Sequence, residues 1–324
     1  RNIGDVLLSI PAIRALKETF PCSTITALVN SGTEDMFAQN PLVDEVIVFD
    51  RTIKKLSSAN RISVELEFLK KLRQRSFDMA VDFTGGDRAA LLGFLAGARY
   101  RLGYRPDKKG FVGKKLLYTH LAERPKARTH TVLKDLGLLR HFGIDTKDLT
   151  VDIHPSKEDE EYVRRLLMEE GLLAGKRPFV HVHPTSRWMF KCWTDEGMAY
   201  VMDRLKESGF GVVVTSGIDQ REIYKVRAIL NRMSTKPVDL SGRLNLKRLS
   251  ALSRLSALFF GVDTAPMHIA AAAGVPVAAV FGPSGAFDWG PWDNTEANRQ
   301  GASAGKDISP YPKKSGVQRF GKNI

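Results

Sequence analysis

The residues best suited to chemistry stand in loops that follow apolar runs of the sequence. The first such loop and the small-residue stretch after it contain Asp263, Thr264, Ala265 and His268. Pro266 suits the first turn of a helix, so the pattern predicts a helix whose free backbone N–H groups and partial positive charge attract phosphate. Asp263 and Thr264 are equally suited to capping that helix, and His268 to a buried core position. Residue type alone leaves these alternatives open.

A second loop, also directly after an apolar run, contains Thr185, Ser186 and Lys191. Its hydroxyl groups can donate hydrogen bonds to phosphate oxygens, and the lysine can stabilise the charge on a departing diphosphate. An exposed loop with a solvated lysine is the structural alternative. A metal site at His181 and His183 is a third interpretation, because alternate residues of a strand share one face. The lack of further ligands nearby in the sequence argues against a metal.

Two shorter signals point to the same chemistry. Gly4 would let the backbone approach a ligand, and Asp5 would place a carboxylate where a general base is useful. The same pair suits an N-cap. Farther along, an apolar run leads to Gln220 and Glu222, a place where Rossmann-like units hold ribose hydroxyls. Acidic residues also favour the first turn of a helix by charge alone, so both signals are weaker than the two loops.

The elements that must position these loops alternate between strands and helices. Apolar runs such as 45–49, 179–183 and 211–215 predict strands, and amphipathic stretches such as 62–75 and 220–231 predict helices. This alternation predicts an α/β fold with parallel sheets covered on both faces. In such sheets ligands bind at the carboxyl ends of the strands, where the candidate loops lie.

The length of 324 residues favours two domains. We expect a first domain at residues 1–155, a second at 156–295 and an irregular tail at 296–324, with a cleft between the two domains. A Gly-Asp turn that runs directly into a helix usually follows a buried strand, so we also expect a first strand ahead of Arg1.

The bulk composition restricts the class of protein. Apolar residues make up 43% and charged residues 26% of the chain, as in globular proteins. The sequence shows neither an apolar run long enough to cross a bilayer nor a signal peptide, which predicts a cytoplasmic location. Cys22 and Cys192 belong to no Cys/His cluster, so neither a disulfide scaffold nor a metal site is expected. The formal net charge of +13 predicts a polyanionic partner, such as nucleic acid, anionic lipid or a phosphorylated glycan.

Much of the positive charge lies in one segment of the first half. Between positions 101 and 128, two acidic residues stand against nine basic ones, namely Arg101, Arg105, Lys108, Lys109, Lys114, Lys115, Arg124, Lys126 and Arg128. Such a segment can hold the phosphates of a glycan or an anionic membrane surface. We take Arg105, Lys108, Lys109 and Arg128 as the candidate contacts to such a phosphorylated partner. The alternative is a solvated loop without a ligand.

The motifs and their order resemble one family, the ADP-heptose:lipopolysaccharide heptosyltransferases of glycosyltransferase family nine. The resemblance rests on residues 3–17 (IGDVLLSIPAIRALK), 263–268 (DTAPMH) with 274–276 (GVP), and 281–284 (FGPS) with 289–292 (WGPW). It spans nearly the whole chain. Similarity to the third heptosyltransferase branch rests on residues 82–88 (DFTGGDR), 186–188 (SRW) and 190–193 (FKCW).

This resemblance implies a GT-B fold, in which two Rossmann-like, doubly wound domains face each other across a cleft. The first domain would hold the acceptor, the inner core of lipopolysaccharide, and the second would hold ADP-heptose. Asp5 would be the general base, and Lys191 would stabilise the departing diphosphate. The donor would be bound by Thr185, Ser186, Asp263, Thr264, Ala265 and His268. The family often has a glutamate where this chain has Gln220, so either that amide or Glu222 would contact the ribose.

The expected chemistry uses no cofactor. A base and a cation on opposite faces of the anomeric carbon favour a single in-line displacement, which inverts configuration. Because Lys191 and a helix N-terminus can neutralise the diphosphate, we expect the reaction to be metal-independent. We expect the enzyme to contact the anionic surface of the inner membrane at its inner face.

Three other interpretations are compatible with parts of the sequence. A GT-B transferase with a different nucleotide sugar or acceptor would share the phosphate-binding loops. A nucleic-acid-binding protein would explain the charge, but no homeodomain, zinc-finger, RRM or KH signature is present and the aromatic residues are not interleaved with the basic run, so we expect no nucleic-acid partner. A non-catalytic polyanion-binding protein of GT-B shape is disfavoured by the presence of both Asp5 and Lys191.

Overall fold

A computed structural model describes residues 2–50, 52–53, 57–106, 110–125, 127–173, 177–282 and 284–295. Within these ranges strands and helices alternate, and every strand pair is parallel. The predicted α/β class with parallel sheets is confirmed. The chain forms two successive units, each with its own sheet or sheets.

The first unit carries two parallel sheets. Its helices are α1 (Ile3–Leu7), α2 (Ile10–Thr19), α3 (Ser58–Gln74), α4 (Asp87–Leu95) and α5 (Thr131–Arg140). Its strands are β1 (Thr26–Asn30), β2 (Glu45–Phe49), β3 (Met79–Asp82), β4 (Tyr100–Tyr104) and β5 (His120–Ala122), and 3₁₀ turns lie at Glu34–Met36 and Lys114–Leu117. β1 pairs with β2, while β3, β4 and β5 form a separate sheet. One hydrophobic core contains residues of both sheets, including Val29 and Leu102. The strand expected ahead of Arg1 lies outside the chain and stays a prediction.

A break divides the helix predicted for residues 7–20. α1 ends at Leu7 and α2 begins at Ile10, with Pro11 in its first turn, where the missing N–H removes no intrahelical bond. Gly4 and Asp5 therefore lie inside the short helix α1 and not in the turn that the sequence suggested.

The second unit contains one five-stranded sheet. Its helices are α6 (Lys157–Glu169), α7 (Asp195–Glu207), α8 (Gln220–Leu230), α9 (Leu246–Leu255), α10 (Ala265–Ala272) and α11 (Ala286–Trp289). Its strands are β6 (Phe179–His183), β7 (Gly211–Val214), β8 (Val238–Asp239), β9 (Leu258–Val262) and β10 (Val277–Val280), and a 3₁₀ turn lies at Met189–Lys191. The strand order is β10-β9-β6-β7-β8. The direction of winding reverses between β6 and β9, and such a switch point leaves a crevice at the carboxyl ends of the strands.

The two units share apolar and polar contacts. Ile269 of α10 and Trp292 belong to the same hydrophobic core as α1 and α2. The indole N–H of Trp292 donates to the carbonyl of Leu149 at 2.9 Å, and the Lys247 ammonium donates to the carbonyl of Ala38 at 2.6 Å. The chain after α11 thus returns to the first unit, while the domain boundaries at residues 155 and 295 stay a prediction.

Candidate functional site

The switch point brings Lys191 and Asp263 together. Lys191 ends the 3₁₀ turn that follows β6, and Asp263 is the first residue after β9. The Lys191 Nζ donates to Oδ2 of Asp263 at 2.8 Å, and the Asp263 carboxylate is almost fully buried. The hydroxyl of Ser284 also donates to this carboxylate. Sequence analysis selected Lys191 and Asp263 separately and missed Ser284, whose only signal was its place in the FGPS motif.

The N-terminus of α10 is open beside this ion pair. Thr264 occupies the N-cap position in extended conformation, and its side chain makes no capping hydrogen bond. The Asp263 carboxylate is engaged with Lys191 and Ser284. The Thr264 side chain therefore does not cap the helix. Pro266 has no N–H and the N–H of Met267 donates to the carbonyl of Thr264, so the N–H of Ala265 carries the partial positive charge of this helix end.

His268 lies one turn farther along α10 and is buried and neutral. Burial lowers the pKa of His268 to about 4, with a smaller lowering contribution from the positive charge that His130 would carry. Its Nδ1 is buried and has no hydrogen-bond partner within the described part of the chain. The ring packs against Gly4 of α1 so closely that a Cβ on Gly4 would lie 2.8 Å from Cδ2 of His268. The two predicted motifs at positions 4–5 and 263–268 therefore meet.

Asp5 caps its own helix. Its Oδ2 accepts a hydrogen bond from the backbone N–H of Asn2, the N-cap residue, at 2.8 Å, so Asp5 is the third helical residue of a capping box and not the N-cap itself. Asp5 is also the neighbour of Gly4, which contacts the His268 ring. The contact between α1 and α10 therefore lies one residue from Asp5.

The helix that follows β7, α8, carries a second buried carboxylate, that of Glu222. Glu222 lies in the first turn of α8 and accepts hydrogen bonds from the hydroxyl of Thr185 at 2.7 Å and from the backbone N–H of Gly217 at 3.2 Å. Gln220 is exposed. Ser186 is buried, and its Oγ accepts a hydrogen bond from the backbone N–H of Trp188 at 3.3 Å. Thr185 and Glu222 are therefore coupled directly, whereas Gln220 is not part of this cluster.

The two histidines of β6 have neighbours of another kind. His181 contacts the hydroxyls of Ser253 and Thr215 at 2.9 and 2.8 Å, and His183 contacts Thr215 at 2.8 Å. Burial lowers the pKa of His183 to about 3 and that of His181 well below its ordinary value. Both are neutral hydrogen-bonding groups in the core, and no group of three or more metal-ligand side chains occurs within the described ranges. Sequence analysis missed Thr215, which links them.

The candidate acceptor residues occupy different positions on the first unit. Arg105 directly follows β4, is exposed and pairs with Glu123 at 2.5 Å. Arg128 is exposed and pairs with Asp288 at 3.2 Å. Lys108 and Lys109 lie outside the described residues.

Part of the basic segment serves the fold. The Arg101 guanidinium donates to the carbonyls of Leu117 and Ala98, each at 2.6 Å. Lys114 is buried, and its ammonium donates to the carbonyl of Gly85 at 2.5 Å and pairs with Asp87 at 2.9 Å. The solvated-loop alternative is wrong for these two residues, and they are not available to a ligand as the sequence suggested for the whole segment.

The loop after β3 is ordered by a carboxylate that sequence analysis quoted but did not assign. Oδ1 of Asp82 accepts hydrogen bonds from the backbone N–H groups of Thr84 and Gly85 at 2.7 and 3.0 Å. Oδ2 accepts the hydroxyl of Tyr118 at 2.7 Å, and burial together with this negative charge raises the pKa of Tyr118. A polar residue at the end of an apolar run was the available signal.

These features define the class of the protein. A crevice at a topological switch point, a helix N-terminus and a lysine beside it are typical of Rossmann-like proteins that bind phosphate-bearing ligands. The described part of the chain has no helix of the length and apolarity that crossing a bilayer requires.

Comparison with known proteins shows the family. The profile of glycosyltransferase family 9 (heptosyltransferase) matches residues 66–319. The chain is 32% identical over 296 residues to lipopolysaccharide heptosyltransferase 3 of Escherichia coli, and the match covers 90% of this chain and 84% of that protein. The chain belongs to glycosyltransferase family 9, the heptosyltransferases. The predicted family and the similarity to the third branch are confirmed.

Solved structures show the same fold. The family 9 glycosyltransferase of Veillonella parvula matches with a TM-score of 0.79 at 23% identity and covers 90% of this chain and 81% of its own. The ADP-heptose lipopolysaccharide heptosyltransferase II of Escherichia coli matches with a TM-score of 0.72 at 20% identity, with coverage of 90% and 85%. The predicted GT-B architecture is thereby confirmed.

Proposed function

We propose that this enzyme transfers heptose from ADP-heptose to the inner core of lipopolysaccharide, with inversion at the anomeric carbon and without a metal ion or cofactor. The observation that carries the proposal is the Lys191–Asp263 pair beside the open N-terminus of α10. Asp5 stands one residue from the glycine that packs on His268. The identity with lipopolysaccharide heptosyltransferase 3 supports the donor and acceptor classes.

In the proposed reaction Asp5 accepts the proton of the acceptor hydroxyl as the hydroxyl oxygen attacks the anomeric carbon. The bond between that carbon and the diphosphate oxygen breaks on the opposite face. The charge that develops on the leaving diphosphate is stabilised by Lys191 and by the backbone N–H groups that begin α10 at Thr264 and Ala265. These positive groups replace the divalent cation that other transferases use for the same charge.

The remaining donor contacts follow from burial. Thr185 and Ser186 lie in the loop that also carries Lys191. The Ser186 hydroxyl suits the phosphate oxygens, and the Thr185 hydroxyl, which donates to Glu222, would exchange that partner for a phosphate oxygen when the donor binds. The position of Glu222 behind Thr185 favours this carboxylate over the exposed Gln220 for the ribose hydroxyls. Neutral His268 can offer its ring nitrogen to the donor sugar or phosphates.

The acceptor is proposed to lie against the first unit, with Arg105, Lys108, Lys109 and Arg128 contacting its phosphates. Arg105 stands at the carboxyl end of β4, the edge of the sheet at which ligands of parallel sheets bind. We place the enzyme in the cytoplasm at the inner face of the inner membrane, where an acceptor with a lipid anchor is within reach.

Nucleotide preference tests the donor. We expect ADP, and not UDP, GDP or NAD, to raise the melting temperature, since a ligand present at 100 times its Kd stabilises the folded state by about 2.7 kcal/mol. The shift should be the same with EDTA and with Mg²⁺. A preference for another nucleotide would be compatible with a transferase but would refute ADP-heptose as the donor. A shift in melting temperature that needs Mg²⁺ would refute metal independence.

The proposed role of Asp5 as general base can be separated from its structural role as acceptor of the Asn2 N–H hydrogen bond. Asp5→Asn keeps an oxygen that accepts the Asn2 N–H but removes the base, so we expect kcat to fall by about 10²–10⁴ with little change in melting temperature. Asp5→Ala removes both the cap and the base, and should lower stability as well. Initial rates of heptose transfer from ADP-heptose provide the measurement. Unchanged turnover in Asp5→Asn would remove Asp5 as the base.

A further inference from the structure

An apolar surface lies open on the first unit. It is formed by neighbouring elements, α3, α4 and the chain around the 3₁₀ turn at Lys114–Leu117, and its exposed side chains are Leu66, Leu91, Phe94, Phe111, Val112 and Leu116. Val112 is fully exposed at 102% of its reference area, and Leu116 is 74% exposed. Aliphatic residues of this size are usually buried, and an exposed group of them marks a site of association.

The apolar surface carries positive charge. The Arg101 guanidinium lies 5.5 Å from the centroid of the Phe94 ring, and Lys115 is exposed beside Leu116. The segment from position 101 to 128 has nine basic residues against two acidic ones. A surface of apolar side chains bordered by Lys and Arg complements an anionic lipid bilayer, which offers phosphate groups above an apolar interior.

A buried lysine holds the tip of this surface in place. The Lys114 ammonium donates to the carbonyl of Gly85 at 2.5 Å and pairs with Asp87, the first residue of α4, at 2.9 Å. Gly85 belongs to the loop at the carboxyl end of β3. The exposed Val112 and Leu116 therefore stand beside the edge of the sheet that borders the proposed acceptor site.

We propose that this apolar surface docks the first unit on an anionic bilayer, with Phe111, Val112 and Leu116 entering the interface and the exposed Lys115 contacting lipid phosphates. The proposal rests on the proposed function in one respect, because docking at this edge lets a lipid-anchored acceptor reach the cleft. The lipid contact itself depends only on the surface. Side chains with an apolar stem and a charged end, such as Lys115, suit the boundary between headgroups and acyl chains.

Vesicle binding tests the docking surface. The full chain is sedimented with vesicles of phosphatidylethanolamine and phosphatidylglycerol, and with neutral phosphatidylcholine vesicles, without donor or acceptor. We expect binding to the anionic vesicles that weakens with salt, and a partition coefficient at least tenfold lower for V112D/L116D, because each buried Val or Leu contributes more than tenfold. M168D, which changes an exposed apolar residue on α6, is the matched control and should bind like the wild type.

Each outcome decides the proposal. Absence of wild-type binding to anionic vesicles, wild-type binding by V112D/L116D, or an equal loss in M168D would overturn it. A cooperative thermal unfolding transition and a circular dichroism spectrum like those of the wild type, both measured without nucleotide, show that the double variant is folded. If sedimentation equilibrium shows a dimer that V112D/L116D dissociates while vesicle binding persists, the surface joins two copies of the chain and the bilayer is excluded as its partner. The vesicle experiment contains no donor, so its result can be interpreted even if ADP-heptose is not the donor.

Discussion

Lys191 and Asp263 neutralise each other at the carboxyl ends of the neighbouring strands β6 and β9. The Asp263 carboxylate is nearly buried, whereas the Lys191 side chain is 21% exposed. Removing one partner of a buried ion pair costs about 3–5 kcal/mol, because the other charge is left without compensation. Asp263 therefore holds the Lys191 ammonium beside the N-terminus of α10. The ammonium in turn offsets the free-energy cost of burying the Asp263 carboxylate.

Replacement of Lys191 separates its two roles. We expect Lys191→Ala to lower kcat by about 10²–10³, the usual effect of removing one group that stabilises transition-state charge, and to lower stability as well. The double variant Lys191→Ala/Asp263→Asn leaves neither charge of this pair, so the melting temperature should recover while kcat stays low. Lys236→Ala, a change of an exposed lysine in the same unit, is the control. Recovery of kcat together with stability would show that Lys191 acts only on the fold.

At the level of elements, α1 and α10 form the contact between the two motifs. α1 is a short helix of five residues, and Gly4 in its first turn allows the His268 ring to approach. His268 is buried, so the ring has little freedom to move away from a larger residue. The contact couples the position of Asp5 to the helix whose N-terminus faces the crevice.

Gly4→Ala should disturb this contact. The added methyl group would lie 2.8 Å from His268 Cδ2, and overpacking of this kind costs about 1–3 kcal/mol. We expect a lower melting temperature and weaker ADP binding, measured by calorimetry. Gly93→Ala is the matched control, because its Cβ would meet only the Ala80 side chain at 3.4 Å and alanine favours the helix α4. A Gly4→Ala protein with wild-type ADP affinity would contradict the proposed coupling.

Buried histidines set the acid stability of the whole molecule. Burial lowers the pKa of His130 and His268 to about 4, that of His183 to about 3, and that of His181 well below its ordinary value. The unfolded chain binds these protons from pH 6.5 downward, and the folded chain does not. The stabilisation is therefore complete above pH 6.5 and is lost as the pH falls from 6.5 toward 4.

We expect the free energy of unfolding to fall by roughly 1 kcal/mol per buried histidine between pH 7.5 and pH 5.5. Urea unfolding at the two pH values provides the measurement. Carboxylates with lowered pKa, such as Asp44 and Asp219, lose their stabilising charge only at more acidic pH, so they do not contribute in this interval. Equal stability at pH 7.5 and 5.5 would mean that the histidines are hydrated or charged in the folded protein.

The sequence by itself determined the class of fold and most of the elements of the second unit. The predicted strands at 45–49 and 179–183 coincide with β2 and β6, because Val, Ile and Phe favour the extended conformation and dominate both runs. Prediction from the sequence failed where charged residues interrupt the spacing of the apolar ones. Arg101 lies inside β4, and the charged residues of α6 obscure the stripe formed by its buried Val163 and Leu167.

Only the tertiary structure decided which candidate residues act together. Lys191 and Asp263 are 72 residues apart in sequence, and they meet because β6 and β9 are neighbours across the switch point. Gly4 and His268 meet because the second unit packs on α1. Local residue patterns determine helices and strands through short-range periodicity, whereas strand order and the packing of the units depend on the burial of surfaces that are distant along the chain.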